Sequence, residues 1–306
     1  MEKIYWQSNI KNFGDELNND FFERALEINL KEYKKNESIL GIGSILNYNT
    51  SNHSKIHVLG TGSGYPEIKI KNLSDYNIWF LRGPLTASAI GVDKKLGICD
   101  PAIIVPQIYK SASIIENPVK KPIFIPHYFS ALNANWKKVC MLADISYRSP
   151  MSGINEICED IQRSNLVITE SLHGAILADA YRIPWILVAT PPVHRSPFKW
   201  KDWLSTIDFE YKPIQIPWLW TNPISTREKI INRIKQKIAK HNLGPNRWTN
   251  KQYIQHGESE IEKCAELLIK IKTKTTPKLS DSTRLQSLQS QINEKLTEFK
   301  RYVIQN

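Results

Sequence analysis

Short apolar runs alternate with stretches of helical spacing over the first two thirds of the chain. Lys3–Gln7 predicts a strand, followed by a turn over Asn9–Gly14. A helix is expected from Asp15 to about Tyr33, with Leu17, Phe21, Phe22, Ala25 and Leu26 on its apolar face. Ser38–Leu46 and Lys55–Leu59 are short, apolar and end near glycine, which predicts buried strands. Ile78–Leu81 predicts another. Pro84 then suits the first turn of a helix running to Ile90, and Gly97–Pro101 closes a further strand. A second set of strands is expected at Pro122–Pro126, Lys138–Leu142, Leu166–Thr169 and Trp185–Ala189, with helices at Gly153–Ser164 and His173–Tyr181.

Strands alternating with helices predict an α/β fold with a parallel sheet in each of two Rossmann-like lobes. The polar stretch Ser111–Lys121 marks the link, so the lobes are expected at residues 1–115 and 116–223. Residues 224–306 are helical in pattern. Ile230, Ile231, Ile234 and Ile238 mark one helix, and Ile261, Ala265, Leu268 and Ile271 a second. Leu285, Leu288, Ile292, Leu296, Phe299 and Val303 form an apolar stripe. It can pack on the body, pair with a second copy in a homo-oligomer, or lie on a membrane. Packing on the body is the favoured reading.

Composition narrows the class. With 306 residues, 41% of them hydrophobic, the chain can bury a sizeable core. Four scattered cysteines (Cys99, Cys140, Cys158 and Cys264) offer no C-x-x-C pair, so no metal or redox centre is expected, and a reducing compartment fits. The start, MEKIYWQSN, is not a signal peptide, and no apolar run approaches the roughly 20 residues of a bilayer span. A cytoplasmic protein is expected. Of the net charge of +11, most lies beyond Ile224, where 17 Lys and Arg face 8 Asp and Glu. A solvated helical surface explains this, and no nucleic-acid partner is expected. Attraction to the inner-membrane surface is the alternative.

The strongest local feature is Val167–Ala175, VITESLHGA. An apolar strand ends, Ser171 can cap the next helix, and Gly174 lies in its first turn with His173. A histidine there can donate a proton beside a bound anion, or merely bond the adjoining strand; spacing leaves the two readings even. The loop Gly60–Gly64 (GTGSG) is followed by Tyr65-Pro66 and opens no helix, so it is read as a flexible loop at the cleft rim rather than a dinucleotide fingerprint.

This segment, with Ala178, Asp179, Ala180 and Pro184 after it, resembles the signature of the polysaccharide pyruvyl transferase family, nearest the branch acting on exopolysaccharides such as succinoglycan. Further pieces match in order: Asn12–Asn18, Gly41–Leu46, Arg82–Thr86, Asp100–Ala102, Ile125–His127, Asp144–Ser146 and Phe198–Trp203. The resemblance covers roughly residues 1–205. It implies a GT-B-like pair of lobes and transfer of pyruvate from phosphoenolpyruvate, as a cyclic ketal, onto two hydroxyls of a sugar. Phosphoenolpyruvate is a substrate, and no cofactor is implied. The acceptor would be a sugar of a surface-polysaccharide precursor, such as a lipid-diphosphate-linked one.

The resemblance implies His173 as proton donor, with Glu170 and Asp100 as candidate bases. Arg82 is the expected ligand of the donor phosphate, assisted by Arg148, Ser171 and Gly174. Many members carry arginine where Ser171 stands, so Arg148 or Arg195 is the expected substitute. Asp15, His127, Lys199, Trp200 and Trp203 are the candidate acceptor contacts. A GT-B glycosyltransferase using a nucleotide sugar is the alternative reading.

Overall fold

The computed structural model describes residues 1–4, 10–33, 36–47, 54–68, 70, 72–109, 120–191, 197–221 and 256–305; between 222 and 255 it describes only 230, 231, 234 and 238. Two parallel sheets organise the chain. The first has the order β1 (Glu2–Ile4), β2 (Glu37–Leu40), β3 (Lys55–Leu59), β4 (Tyr76–Phe80). The second has the order β6 (Ser146–Tyr147), β5 (Pro122–Ile125), β7 (Leu166–Thr169), β8 (Trp185–Ala189), β9 (Ile214–Gln215). Every strand pair is parallel, in register from Glu37↔Lys55 in the first sheet and from Pro122↔Leu166 in the second.

Burial on both faces explains why the central strands β5, β7 and β8 are nearly continuous apolar runs. Successive side chains serve opposite layers. Ile123, Ile125, Val167, Trp185 and Leu187 enter a core shared with the first sheet. Phe124, Ile168, Ile186 and Val188 enter a second layer. That layer is roofed by α6 (Trp136–Leu142) and by α10 (Glu258–Lys274), through Ile261, Cys264, Ala265, Leu268 and Ile271. Leu40, Ile56, Val58 and Ala87 of α3 (Pro84–Ile90) cover the outer face of the first sheet.

Four expectations are corrected. Residues 15–33 do not form one helix: α1 (Phe13–Glu16), a 3-10 turn and α2 (Phe21–Leu26) succeed one another, and Glu27 closes α2 in the left-handed region. The strand expected at Ser38–Leu46 stops at Leu40, because Asn18 takes the backbone N–H and C=O of Ile42 out of the ladder (2.8 and 2.9 Å). Lys138–Leu142 is helical. Asn135 caps it by accepting from the Lys138 N–H, and Trp136, Val139, Cys140 and Ala143 recur at three and four. Gly97 makes only an isolated bridge to Leu81. The expected link over Ser111–Lys121 and the second half of Lys3–Gln7 lie almost wholly outside the described residues.

The last helix, α11 (Ser282–Gln305), buries all six residues of its stripe. It lies on the first sheet, beside α2, β4 and the turn Pro101–Ile104. Phe299 packs against His57 and Trp79 (ring centres 5.2 and 5.4 Å apart), and Tyr302 donates to Glu37. Asp179 ties down the approach to this helix, accepting from Trp185 Nε1 and from the N–H of Ser280 (both 2.9 Å). Phe299→Ala is expected to destabilise the protein by about 3–5 kcal/mol. A urea midpoint within error of wild type would refute this placement.

Candidate active site

The carboxyl ends of parallel strands gather polar loops and the N-termini of the following helices. His173 enters from the second sheet. β7 ends at Thr169, and Ser171 caps α8 (Leu172–Ala180) by accepting from the N–H of Gly174. Gly174 has no room for a side chain, since a Cβ there would fall 2.6 Å from Thr169 Oγ1. These two signature residues therefore build the helix start, and His173 follows from it.

The imidazole of His173 is held on both sides. Nε2 faces Asp100 Oδ2 at 3.6 Å, and neither atom has a hydrogen-bond partner among the described residues. The other Asp100 oxygen accepts from the N–H of Ala102 at 3.0 Å. A shift of a few tenths of an ångström would turn the facing pair into a hydrogen bond. On the opposite side, Nδ1 lies against Gly14: a Cβ built there would stand 2.0 Å from it. Phe13 meets the ring edge-on. Gly14→Ala is thus expected to push the imidazole out of place and lower turnover at least tenfold, while the urea midpoint changes little. Full activity in this variant would show that the ring position is unimportant.

Asp15 is half-buried in α1, close to His173 and Lys199. Burial raises its carboxyl above the usual range; the hydrogen bond from Asn12 (2.9 Å) and the charges of His173 and Lys199 oppose this. Lys199 lies in α9 (Phe198–Leu204). Burial first, and repulsion from Arg82 second, push its ammonium down to about 8, against the attraction of Asp15.

Arg82 also points into this region, but its guanidinium is used within the protein. It is 1% exposed. Nε donates to Asp202 (3.2 Å), one terminal nitrogen to Gly43 O and Ser44 Oγ (3.3 and 2.7 Å), and the other to Ser63 O. Asp202 also accepts from the N–H of Thr86 at 2.9 Å. Arg82, the expected donor-phosphate ligand, is held here as a clamp between the loops after β2 and β3 and helix α9. The GTGSG loop packs against it. Gly60 to Ser63 are buried rather than at a rim, and a Cβ on Gly62 would fall 2.3 Å from Arg82 Cζ.

The remaining candidates separate. Glu170 is buried, with its oxygens accepting from the His127 N–H (3.2 Å) and Thr190 Oγ1 (2.7 Å), so it stitches together the ends of β5, β7 and β8. Burial raises its carboxyl, opposed by these bonds and by one to Ser130. His127 caps α5 (Tyr128–Asn133). Arg148 pairs with Asp160 and Glu156 on α7 (Ile154–Arg163), so its charge is already balanced there. Trp200 and Trp203, expected at the acceptor, are fully buried; their rings pack together, and Trp203 packs on Trp185. Arg195 lies outside the described residues. The sequence reading missed the roles of Gly14, Asn18 and Asp202, although each stands inside a motif that it singled out.

The site therefore joins an imidazole backed by a carboxylate, a second, half-buried carboxyl and an amine, at the strand ends of both sheets. A family model described as polysaccharide pyruvyl transferase matches residues 12–192. The succinoglycan biosynthesis protein ExoV of Rhizobium meliloti (strain 1021) is 35% identical over 220 residues, covering 71% of this chain and 68% of that protein. The matched region holds Gly14, Asp15, Arg82, Asp100 and His173, and with that coverage the chain belongs to the polysaccharide pyruvyl transferase family.

Proposed function

We propose that the protein moves the pyruvyl group of phosphoenolpyruvate onto two hydroxyls of one sugar, as a cyclic ketal, in an exopolysaccharide precursor. The observation carrying this reading is His173, seated between Asp100 and Gly14 at the strand ends, with Nε2 turned to the carboxylate. The membership stated above and the name of the relative support the same reaction class.

In this reading the two sheets form two GT-B-like lobes, residues 1–115 and 116–223, with donor and acceptor between them. His173 gives its proton to the methylene carbon of the enol. The adjacent carbon becomes electron-poor, and a sugar hydroxyl bonds to it, losing its proton to a base. Asp15 suits that task, because a carboxyl raised by burial holds a proton more readily. A second hydroxyl then bonds to the same carbon as its bond to the phosphate oxygen breaks; its proton passes to the departing phosphate, which leaves. Asp100 holds the imidazole and balances its charge in the protonated state. The acceptor is read as a lipid-diphosphate-linked sugar met at the cytoplasmic side of the inner membrane. No helix among the described residues is long and apolar enough to cross a membrane.

The test is turnover with phosphoenolpyruvate and a panel of carrier-linked sugars in heavy water. Phosphate should appear together with a product whose ketal methyl holds one deuteron. Absence of phosphate release across the panel, or a product without that deuteron, would count against the reading.

A further inference from the structure

We infer that the ammonium of Lys199 receives the anionic end of the donor, in the role that the sequence suggested for Arg82. This rests on the phosphoenolpyruvate reading above and adds a donor contact to it. Three observations carry it. Arg82 is enclosed, with bonds to Asp202, Gly43, Ser44 and Ser63, so its charge has a resident partner. Lys199 lies one helical turn before Asp202, and residues three apart share a face. Asp202 turns toward the first sheet, where it meets Arg82 and Thr86, and Lys199 accompanies it to the side of Asp15. Finally, the Lys199 amine has no hydrogen bond or ion pair to any described residue, although it is half-buried.

A part-buried amine without a bonded counter-ion is costly to keep charged, because the water it lost has not been replaced. An incoming carboxylate or phosphate supplies that replacement and is drawn in by it. The buried Arg82–Asp202 pair behind it is closed to the ligand. Lys199 would thus hold the donor with its enol within reach of His173, while the same amine helps neutralise phosphate as it departs. The lowered ammonium, at about 8, fits an amine poised for an anion, since a bound negative charge would raise it again.

The alkaline side of the pH profile follows. Among the described residues, the charges acting on Lys199 are Asp15 of α1 and Arg82 after β4, the latter paired with Asp202; His173 of α8 acts on Asp15 and faces Asp100. The charged amine is the binding form. The KM for phosphoenolpyruvate should be flat below about 8 and climb above it, as the free amine loses its proton.

The experiment compares wild type with Lys199→Met and Lys199→Arg. Lys199→Met should raise the KM for phosphoenolpyruvate at least tenfold, with the acceptor KM within twofold of wild type. Lys199→Arg should recover most of the donor affinity and lose the alkaline rise, since a guanidinium stays charged there. In wild type, acetylation of Lys199, read by peptide mass, should be slowed by phosphoenolpyruvate and not by acceptor alone. Thermal midpoints of all three proteins guard against misfolding, and the wild-type labelling stands without any variant. Turnover by Lys199→Met with an unchanged donor KM, or labelling indifferent to phosphoenolpyruvate, would overturn this role and leave the reaction standing. A wild-type protein that neither binds nor consumes phosphoenolpyruvate would overturn both.

Discussion

His173→Gln is expected to reduce phosphate release by about two to four orders of magnitude, the usual contribution of a positioned acid. Glutamine matches much of the imidazole volume and can still bond Asp100, but has no proton to give near neutral pH. The loss should therefore appear in kcat with the donor KM nearly unchanged. Asp100→Asn should fall in the same direction by less, because the proton remains while the ring loses the carboxylate that faces Nε2 at 3.6 Å. Single-turnover phosphate release measures both, with thermal unfolding as the control. A His173→Gln enzyme keeping a third of wild-type activity would remove His173 from the chemistry.

The second large effect is on stability. Asp202→Ala should destabilise the protein by about 3–5 kcal/mol, since it strands the enclosed Arg82 guanidinium without its counter-ion. Thr86 loses a partner for its N–H at the same time. Arg82→Lys alone should also destabilise, because an ammonium cannot span Asp202, Gly43, Ser44 and Ser63 with one planar fork. Urea unfolding followed by tryptophan fluorescence reports the change, with Trp200 and Trp203 in the affected helix. An Asp202→Ala midpoint within about 0.5 kcal/mol of wild type would mean that the clamp contributes little.

What could be read without coordinates follows from range along the chain. Lys55–Leu59 and Leu166–Thr169 appear with their expected bounds, because an apolar run between glycine or polar neighbours is a local signal. The Ser171 cap and the stripe of α11 are equally local. Lys138–Leu142 failed for the converse reason: a short apolar run fits strand or helix, and the deciding cap, Asn135, stands outside it. The roles of Arg82 and Asp100 depended on partners far away. Asp202 lies 120 residues from Arg82, and His173 lies well beyond Asp100 in sequence. A motif can name such residues without saying whether their charge is spent on the protein or kept for a ligand.

The seating of α11 on the first sheet sets an order of events during synthesis. Tyr302 reaches Glu37 across 265 residues, and Phe299 covers His57 and Trp79. At about 5–20 residues per second, a ribosome needs roughly 15–50 s to make the intervening chain. Throughout that interval the side of the first sheet bearing His57 and Trp79 lacks the cover that α11 gives it. Its packing is thus a long-range event in sequence, the kind of contact that slows folding.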